Sequence, residues 1–266
     1  MEAYEAILAS EGIDTCACVD FAACRVQKPH LLHFEPRCAV IFAVPYLTEA
    51  PRQHRVSLYS SSEDYHLFFS ALYERCLPRL REAYPEYEWQ GFVDHSPIYE
   101  VDAAARAGIG IMGDNHLLIT RKYGSFVFLG EFLTDAPLAC SALHEVQTCR
   151  HCGACRRRCP DTERCLSAVT QKKGVLSDED RAYILKWKSA WGCDICQLVC
   201  PENKGAALSP ISFFYENRLP DPTSDDIRSM TDDQFSRRAF AWRGRQTILR
   251  NLDLLEAAEA EEQTQD

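Results

Sequence analysis

Short apolar runs alternate along the chain with stretches of helical periodicity. Runs at residues 15–19, 38–44, 91–93, 117–120 and 126–133 are short, apolar and rich in β-branched or aromatic side chains, so they read as strands. Between them, residues 64–83 bring Leu67, Phe68, Ala71, Leu72, Cys76 and Leu80 onto one face at helical spacing, with Pro78 placed to kink the helix. A second helix over 99–107 starts after Pro97 and stops at Gly108. Further on, residues 178–188 read as a helix N-capped by Ser177, and residues 232–255 as one or two more. Apolar periodicity ends at Leu255, so the acidic tail EAAEAEEQTQD is expected to fray. The first half of the pattern predicts a mixed α/β domain built on one sheet.

Composition adds little to this picture except by exclusion. The 266 residues are 46% hydrophobic, 26% charged and 11% aromatic, ordinary values for a folded globular chain, and long enough for one large domain or two small ones. The longest nearly apolar run, CAVIFAVPYL at 38–47, is about half of a bilayer span. The start, MEAYEAILAS, carries acids where an export signal carries lysine and arginine. No membrane partner and a cytoplasmic location are therefore expected.

Cysteine changes the picture more. Fourteen cysteines in a chain with no export signal point to metal rather than disulfides. Six are scattered (Cys16, Cys18, Cys24, Cys38, Cys76 and Cys140) and are expected to pack as small buried apolar groups. The other eight form two runs, CRHCGACRRRCP at 149–160 and CDICQLVCP at 193–201, with Cys165 between them. C-x2-C-x2-C-x3-C-P is the bacterial ferredoxin spacing, in which three thiolates wrap one cubane and the fourth crosses to a second. The implied sets are Cys149, Cys152, Cys155 and Cys200 on one 4Fe-4S cluster, and Cys165, Cys193, Cys196 and Cys159 on the other. Zinc is the competing reading, but paired zinc ligands have no use for the C-x3-C-P ending. Such clusters move single electrons, and the 148 residues before the first ligand are the place for a reaction that uses them.

The stretch GIGIMG at 108–113 satisfies the dinucleotide-binding pattern but has a helix before it and a strand after it, the reverse of what that mechanism needs. Its glycines suit instead a close approach of backbone to a bulky flat ligand. Five arginines (Arg150, Arg156, Arg157, Arg158 and Arg164) surround the first cysteine run in a chain of formal charge −10. They read as charge balance for the clusters, as a phosphate-binding patch, or as a dock for an acidic electron donor.

FVDHSPIYEVDAAARAGIGIMGDNHLLIT followed by YGSFVFLGEFLTD resembles the core of the epoxyqueuosine reductases, cobalamin-dependent iron–sulfur enzymes of tRNA modification. AVIFAVPYL, DYH, CRHCGACRRRCP, RCLSAVTQKKG and GCDICQLVCPEN extend the likeness from about residue 36 to about residue 205. The resemblance implies an oxidoreductase of queuosine biosynthesis in which a corrinoid, reduced by the clusters to cob(I), removes the epoxide of epoxyqueuosine in a tRNA anticodon loop. It makes Asp94, in V-D-x-x-P, the proton donor, a role that requires a carboxyl kept protonated near neutral pH. It places the corrinoid against Asn115, Leu118, Ser125 and Leu129, with Ser167 and Asp194 beside the cluster ligands. It also implies tRNA and an electron donor such as flavodoxin or ferredoxin as partners.

The fold class that follows is α+β. A mixed α/β cobalamin and substrate domain over 1–140 precedes a ferredoxin-like double 4Fe-4S module over 141–205, with helices and the acidic tail over 206–266. Where the family run reads E-R-A-x-A-x-x-A-G-L-G-W-I-G-K-N, this chain has Val101 for arginine, Ile111 for tryptophan and Asp114 for lysine. Two lost positive charges on an acidic chain put the tRNA substrate in question. The alternatives are a corrinoid reductase of another electrophile, and an electron-transfer protein whose first domain only docks partners.

Overall fold

Residues 38–45 are apolar without interruption, the signature of a strand buried on both faces. In the computed structural model, which describes residues 2–142 and 145–265, they form the wholly buried β2 (Cys38–Pro45). With β1 (Cys16–Asp20), β3 (Trp89–Phe92) and β6 (Val127–Thr134) it makes a four-stranded sheet, order β1-β2-β6-β3, with every pairing antiparallel. A small hairpin of β4 (Ile111–Met112) and β5 (Leu118–Ile119) stands apart from it. Each strand falls on an apolar run except β4, whose two residues follow the glycines directly.

Alternation along β2 sends Val40 and Phe42 to one face and Ala39 and Ile41 to the other. The first face meets the helix α2 (Tyr65–Ala83), where the Phe42 ring lies 6.3 Å from Phe69 and, on the same sheet face, 5.2 Å from Phe132 of β6. Pro78 lies inside this helix without ending it. The second face packs on Ala103, Ala104 and Ala105 of α3 (Glu100–Arg106), small residues that let the helix sit close to the strands. Truncating a buried ring such as Phe42 to alanine is expected to cost about 3–5 kcal/mol. A short α1 (Ala3–Ser10), closed by a Glu2–Glu5 capping box, precedes β1 and carries too weak an apolar stripe to be read in advance.

The second half is helical: α4 (Ala154–Arg158), α5 (Leu166–Thr170), α6 (Asp178–Trp187), α7 (Ile195–Leu198), α8 (Ser224–Ser229), α9 (Asp232–Ser236) and α10 (Arg245–Gln265). Ser177 caps α6 by accepting the Asp180 N–H. Ile184, Trp191, Phe240, Ile248 and Leu252 form one buried cluster. Within it, fully buried Asn251 donates to the carbonyls of Thr170 and Ala190 at 2.7 and 2.8 Å. The tail expected to fray instead continues α10 to Gln265. Leu255 is the last deeply buried apolar residue, and alanine and glutamate, both strong helix formers, carry the helix beyond it.

Compactness groups the chain into two units made of interleaved segments: Met1–Thr48, Phe68–Gly153 and Pro201–Ile211 in the first, Glu49–Leu67, Ala154–Cys200 and Ser212–Asp266 in the second. The sequence reading divides the chain at residues 140 and 205 into consecutive stretches, because local pattern marks where elements lie and not which ones return to pack together. Among the described residues no helix is long and apolar enough to cross a membrane.

Candidate active site and cysteine clusters

β3 ends at Phe92, and two residues later Asp94 takes a left-handed backbone, φ 57°, uncommon for a residue with a side chain. The turn is held from below. The Asp94 N–H donates to Glu100 Oε1 at 3.1 Å, and the Tyr73 hydroxyl donates to the Phe92 carbonyl. Glu100 opens α3, and Glu131 lies in β6 at the register position of Phe92 and Ile41, on the sheet face that α3 covers. Glu131 is fully buried, with the Ser96 hydroxyl and the Glu100 carboxyl as its polar neighbours and no cation among the groups that shift its pKa.

Three carboxyls therefore share one region, two of them away from water. Burial, then the charge of Asp94, pushes Glu100 up to about 7. Burial, then Glu100, drives Glu131 well above the usual carboxylate range. A fully buried carboxyl without a cation is neutral at pH 7, because desolvation opposes its charge. Lys28 lowers Glu100 only as the smallest of its influences, and its ammonium lies 3.4 Å from His95 Nδ1. Asp94 stands out in the sequence, whereas Glu100 and Glu131 do not. The signal for Glu131 was a lone acid in the apolar run FVFLGEFL.

Beyond α3, whose C-terminal Gly108 has φ 81°, the chain enters the β4–β5 hairpin. Helix then strand is the observed order around GIGIMG, as read, so a dinucleotide site is set aside. A Cβ on Gly110 would come 2.7 Å from the Ile119 carbonyl, so that position admits no side chain, and one on Gly113 would come 2.3 Å from Asn115 Oδ1 and displace the Asn115 side chain. Beside the hairpin, Ala105, Ile109, Ile111, Ile119, Arg121 and Gln147 line a cleft of about 480 Å³. Ala105 is five residues from Glu100, about 8 Å along the helix axis. At the tip, Asn115 Oδ1 accepts the Leu117 N–H at 3.4 Å, while its Nδ2 is buried without a partner among the described residues, an orphaned donor of the kind a bound group satisfies.

The other expected contacts divide by environment. Leu118 is buried in β5 and Leu129 is half-buried in β6. Ser125 is buried in a reciprocal pair with Asn203, its N–H donating to Oδ1 at 2.8 Å and its Oγ accepting from Nδ2 at 2.9 Å. Ser167 accepts from the Gln171 amide at 3.0 Å. Asp194 turns inward, accepting the Leu58 N–H at 2.7 Å and the Gln197 amide at 3.2 Å, and burial pushes it up to about 6.

Of the cysteine runs, Cys149 and Cys152 lie in the first unit and Cys155, Cys159, Cys165, Cys193, Cys196 and Cys200 in the second. Cys152 and Cys165 are exposed and the rest half-buried, which suits ligands more than core packing. Burial, with Cys196, Asp194 and Cys165 nearby, pushes the Cys193 thiol up to about 12, so a cation is needed to hold it as thiolate. The Cys165, Cys193 and Cys196 donor set fits a thiophilic iron centre. The five arginines do not act alike: Arg150 pairs with Glu202 at 3.0 Å and Arg164 with Asp180, while Arg156, Arg157 and Arg158 are exposed on α4.

No protein-family profile matches the chain. Individual proteins do. An epoxyqueuosine reductase of Lactococcus garvieae is 33% identical over 216 residues, covering 73% of this chain and 58% of that protein. One from Listeria monocytogenes is 31% identical over 255 residues, covering 85% and 65%. The chain is a relative of the epoxyqueuosine reductases. It spans less than two thirds of the length of these curated relatives. The fold agrees. The Streptococcus thermophilus epoxyqueuosine reductase superposes with a TM-score of 0.81 at 24% identity, over 95% of this chain and 79% of that one. An epoxyqueuosine reductase solved with an epoxyqueuosine-modified tRNA stem loop gives 0.78 at 26%, with the same coverage.

Against the epoxyqueuosine reductase run, the three departures have definite surroundings. Val101 packs half-buried beside α3's alanines, and Ile111 lines the cleft. Asp114, in place of lysine, holds His151 Nδ1 at 2.7 Å, and His151 Nε2 meets Thr148 Oγ1 at 3.0 Å. The lost cation is thus replaced by an anion that fastens the loop between Cys149 and Cys152.

Proposed function

We propose that this chain is a cobalamin- and iron–sulfur-dependent reductase that converts epoxyqueuosine in tRNA to queuosine. The observation that carries the reading is the Asp94 turn, set over two carboxyls and found in a chain whose relatives are named for this reaction. Loss of the epoxide oxygen as water consumes two electrons and two protons. When bound, the corrinoid supplies a reduced, nucleophilic cobalt. Asp94, exposed here, would deliver a proton to the epoxide oxygen once bound substrate covers it, and the hydrogen bonds to Glu100 and from Tyr73 fix the backbone of its turn. Glu100, poised near neutrality, is the second proton store.

The remaining residues bind and insulate. When the corrinoid is bound, Asn115 Nδ2 would donate to it and the cleft beside the hairpin would admit it, with Leu118 and Leu129 packed behind as apolar support. Ser125, Ser167 and Asp194 hold their surroundings in shape through the hydrogen bonds described. Cys149, Cys152, Cys155 and Cys200 hold one 4Fe-4S cluster and Cys159, Cys165, Cys193 and Cys196 the second. Along the chain, the catalytic residues fall within 1–140 and the cluster cysteines within 141–205, with helices over 206–266. The exposed α4 arginines suit either tRNA phosphate or an acidic donor of the flavodoxin or ferredoxin kind. Anaerobic titration of the iron-loaded chain with hydroxocobalamin tests this directly. One equivalent is expected to bind, with a base-off visible spectrum. No uptake with iron in place would leave an electron-transfer protein.

A further inference from the structure

Three of the six scattered cysteines are not scattered in space. Cys18 lies in β1, the edge strand of the sheet, Cys38 at the start of β2, and Cys140 in the segment after β6. The register pairs Cys18 with Val40 and Asp20 with Cys38, so both thiols point to the same face. The Ser141 N–H donates to the Cys18 carbonyl at 2.8 Å, laying the third segment along the free edge of β1 and bringing Cys140 to the other two. Cys140 Sγ is then 3.1 Å from Cys18 Sγ and 3.3 Å from Cys38 Sγ, and the three sulfurs lie within 4.8 Å of one another. Apolar packing does not explain this. Thiol hydrogen bonds join Cys140 to both of the others, and a cysteine used only as a small apolar residue needs neither.

We propose that Cys18, Cys38 and Cys140 form a zinc(II)-binding site separate from the two iron–sulfur ligand sets. Three thiolates satisfy the ligand preference of that ion. Asp20, two residues after Cys18 and opposite Cys38, is a carboxylate whose charge reaches Cys140, and water would complete four-coordination for zinc. Cys18 and Cys38 are buried and Cys140 is partly exposed, so the ion reaches the site from the Cys140 side. Binding exchanges protons for the cation with no change of oxidation state. It would clamp the sheet edge to the segment after β6, joining three parts of the chain more than a hundred residues apart at the extremes.

The probe is zinc chloride, added anaerobically under reductant to the full chain already loaded with about eight irons, so that the cluster thiols are occupied. After desalting through a weak chelator, one retained zinc per chain is expected. The triple variant Cys18→Ser/Cys38→Ser/Cys140→Ser should retain at least tenfold less with iron unchanged, whereas Cys76→Ser should behave as wild type. Should the triple variant fail to fold, the wild-type chain alone decides: zinc should slow iodoacetamide labelling of Cys140 severalfold. Wild-type protein that retains no zinc, or labelling of Cys140 that zinc does not slow, overturns the proposal, and so does a folded triple variant that keeps its zinc.

Discussion

Asp180 on α6 and Glu131 on β6 are both carboxyls with almost no exposed surface, yet they lie at opposite ends of the carboxylate range. For both, burial alone raises the pKa. Lys172, at 2.8 Å, and Arg164 outweigh it for Asp180 and hold that group at about 2. Those cationic side chains are themselves partly exposed, so Asp180 is covered by its partners rather than by depth. Glu131 has no such partner and faces a second carboxyl, so burial and repulsion add. The lesson is that a buried acid with cations fastens a fold, whereas a buried acid beside other acids stores a proton.

Substitutions can break this contrast. The largest effect is expected from Asp94→Asn, which keeps the turn but cannot supply a proton: turnover should fall about 10²–10⁴-fold with iron and corrinoid content intact. Activity near wild type would move the acid role elsewhere, with Glu100 first in line. Next comes stability. Asp180→Asn removes charge-assisted hydrogen bonds and should cost about 2 kcal/mol in denaturant unfolding, whereas neutral, isosteric Glu131→Gln should change stability by less than about 1 kcal/mol. Equal losses in the two variants would show that Glu131 is ionised and partnered after all.

The smallest effects are slopes with pH, and their signs differ. Glu100 titrates near 7 in the fold, above its ordinary 4.5, so its contribution is complete below pH 4.5 and is lost as pH rises through 7. Asp180, near 2 against an ordinary 3.8, contributes above pH 3.8 and loses that contribution as pH falls through 2. Glu100→Gln should flatten the neutral slope and Asp180→Asn the acid one, as read by thermal unfolding across pH. A neutral slope that survives Glu100→Gln would assign it to another group.

Much of the fold was legible because its elements are locally encoded. The uninterrupted apolar run of β2, the one-sided face of α2 and the Ser177 cap all announce their structures. The helical end of α10 was missed because helix propensity acted there without apolar packing. The site was legible only in part. Asp94 and Asn115 lie in a stretch that resembles a family, but the partners that give them their environment come from distant strands. Glu131 is 37 positions after Asp94, and Cys140 is 122 after Cys18. Such meetings depend on sheet order, which no local pattern states.

The central claim is that this chain performs epoxide removal. Chain loaded with iron and cobalamin, kept anaerobic and reduced, would be incubated with tRNA carrying epoxyqueuosine, and the digested nucleosides weighed by mass spectrometry. The account predicts queuosine at many equivalents per chain; epoxyqueuosine recovered unchanged from fully loaded protein would contradict it.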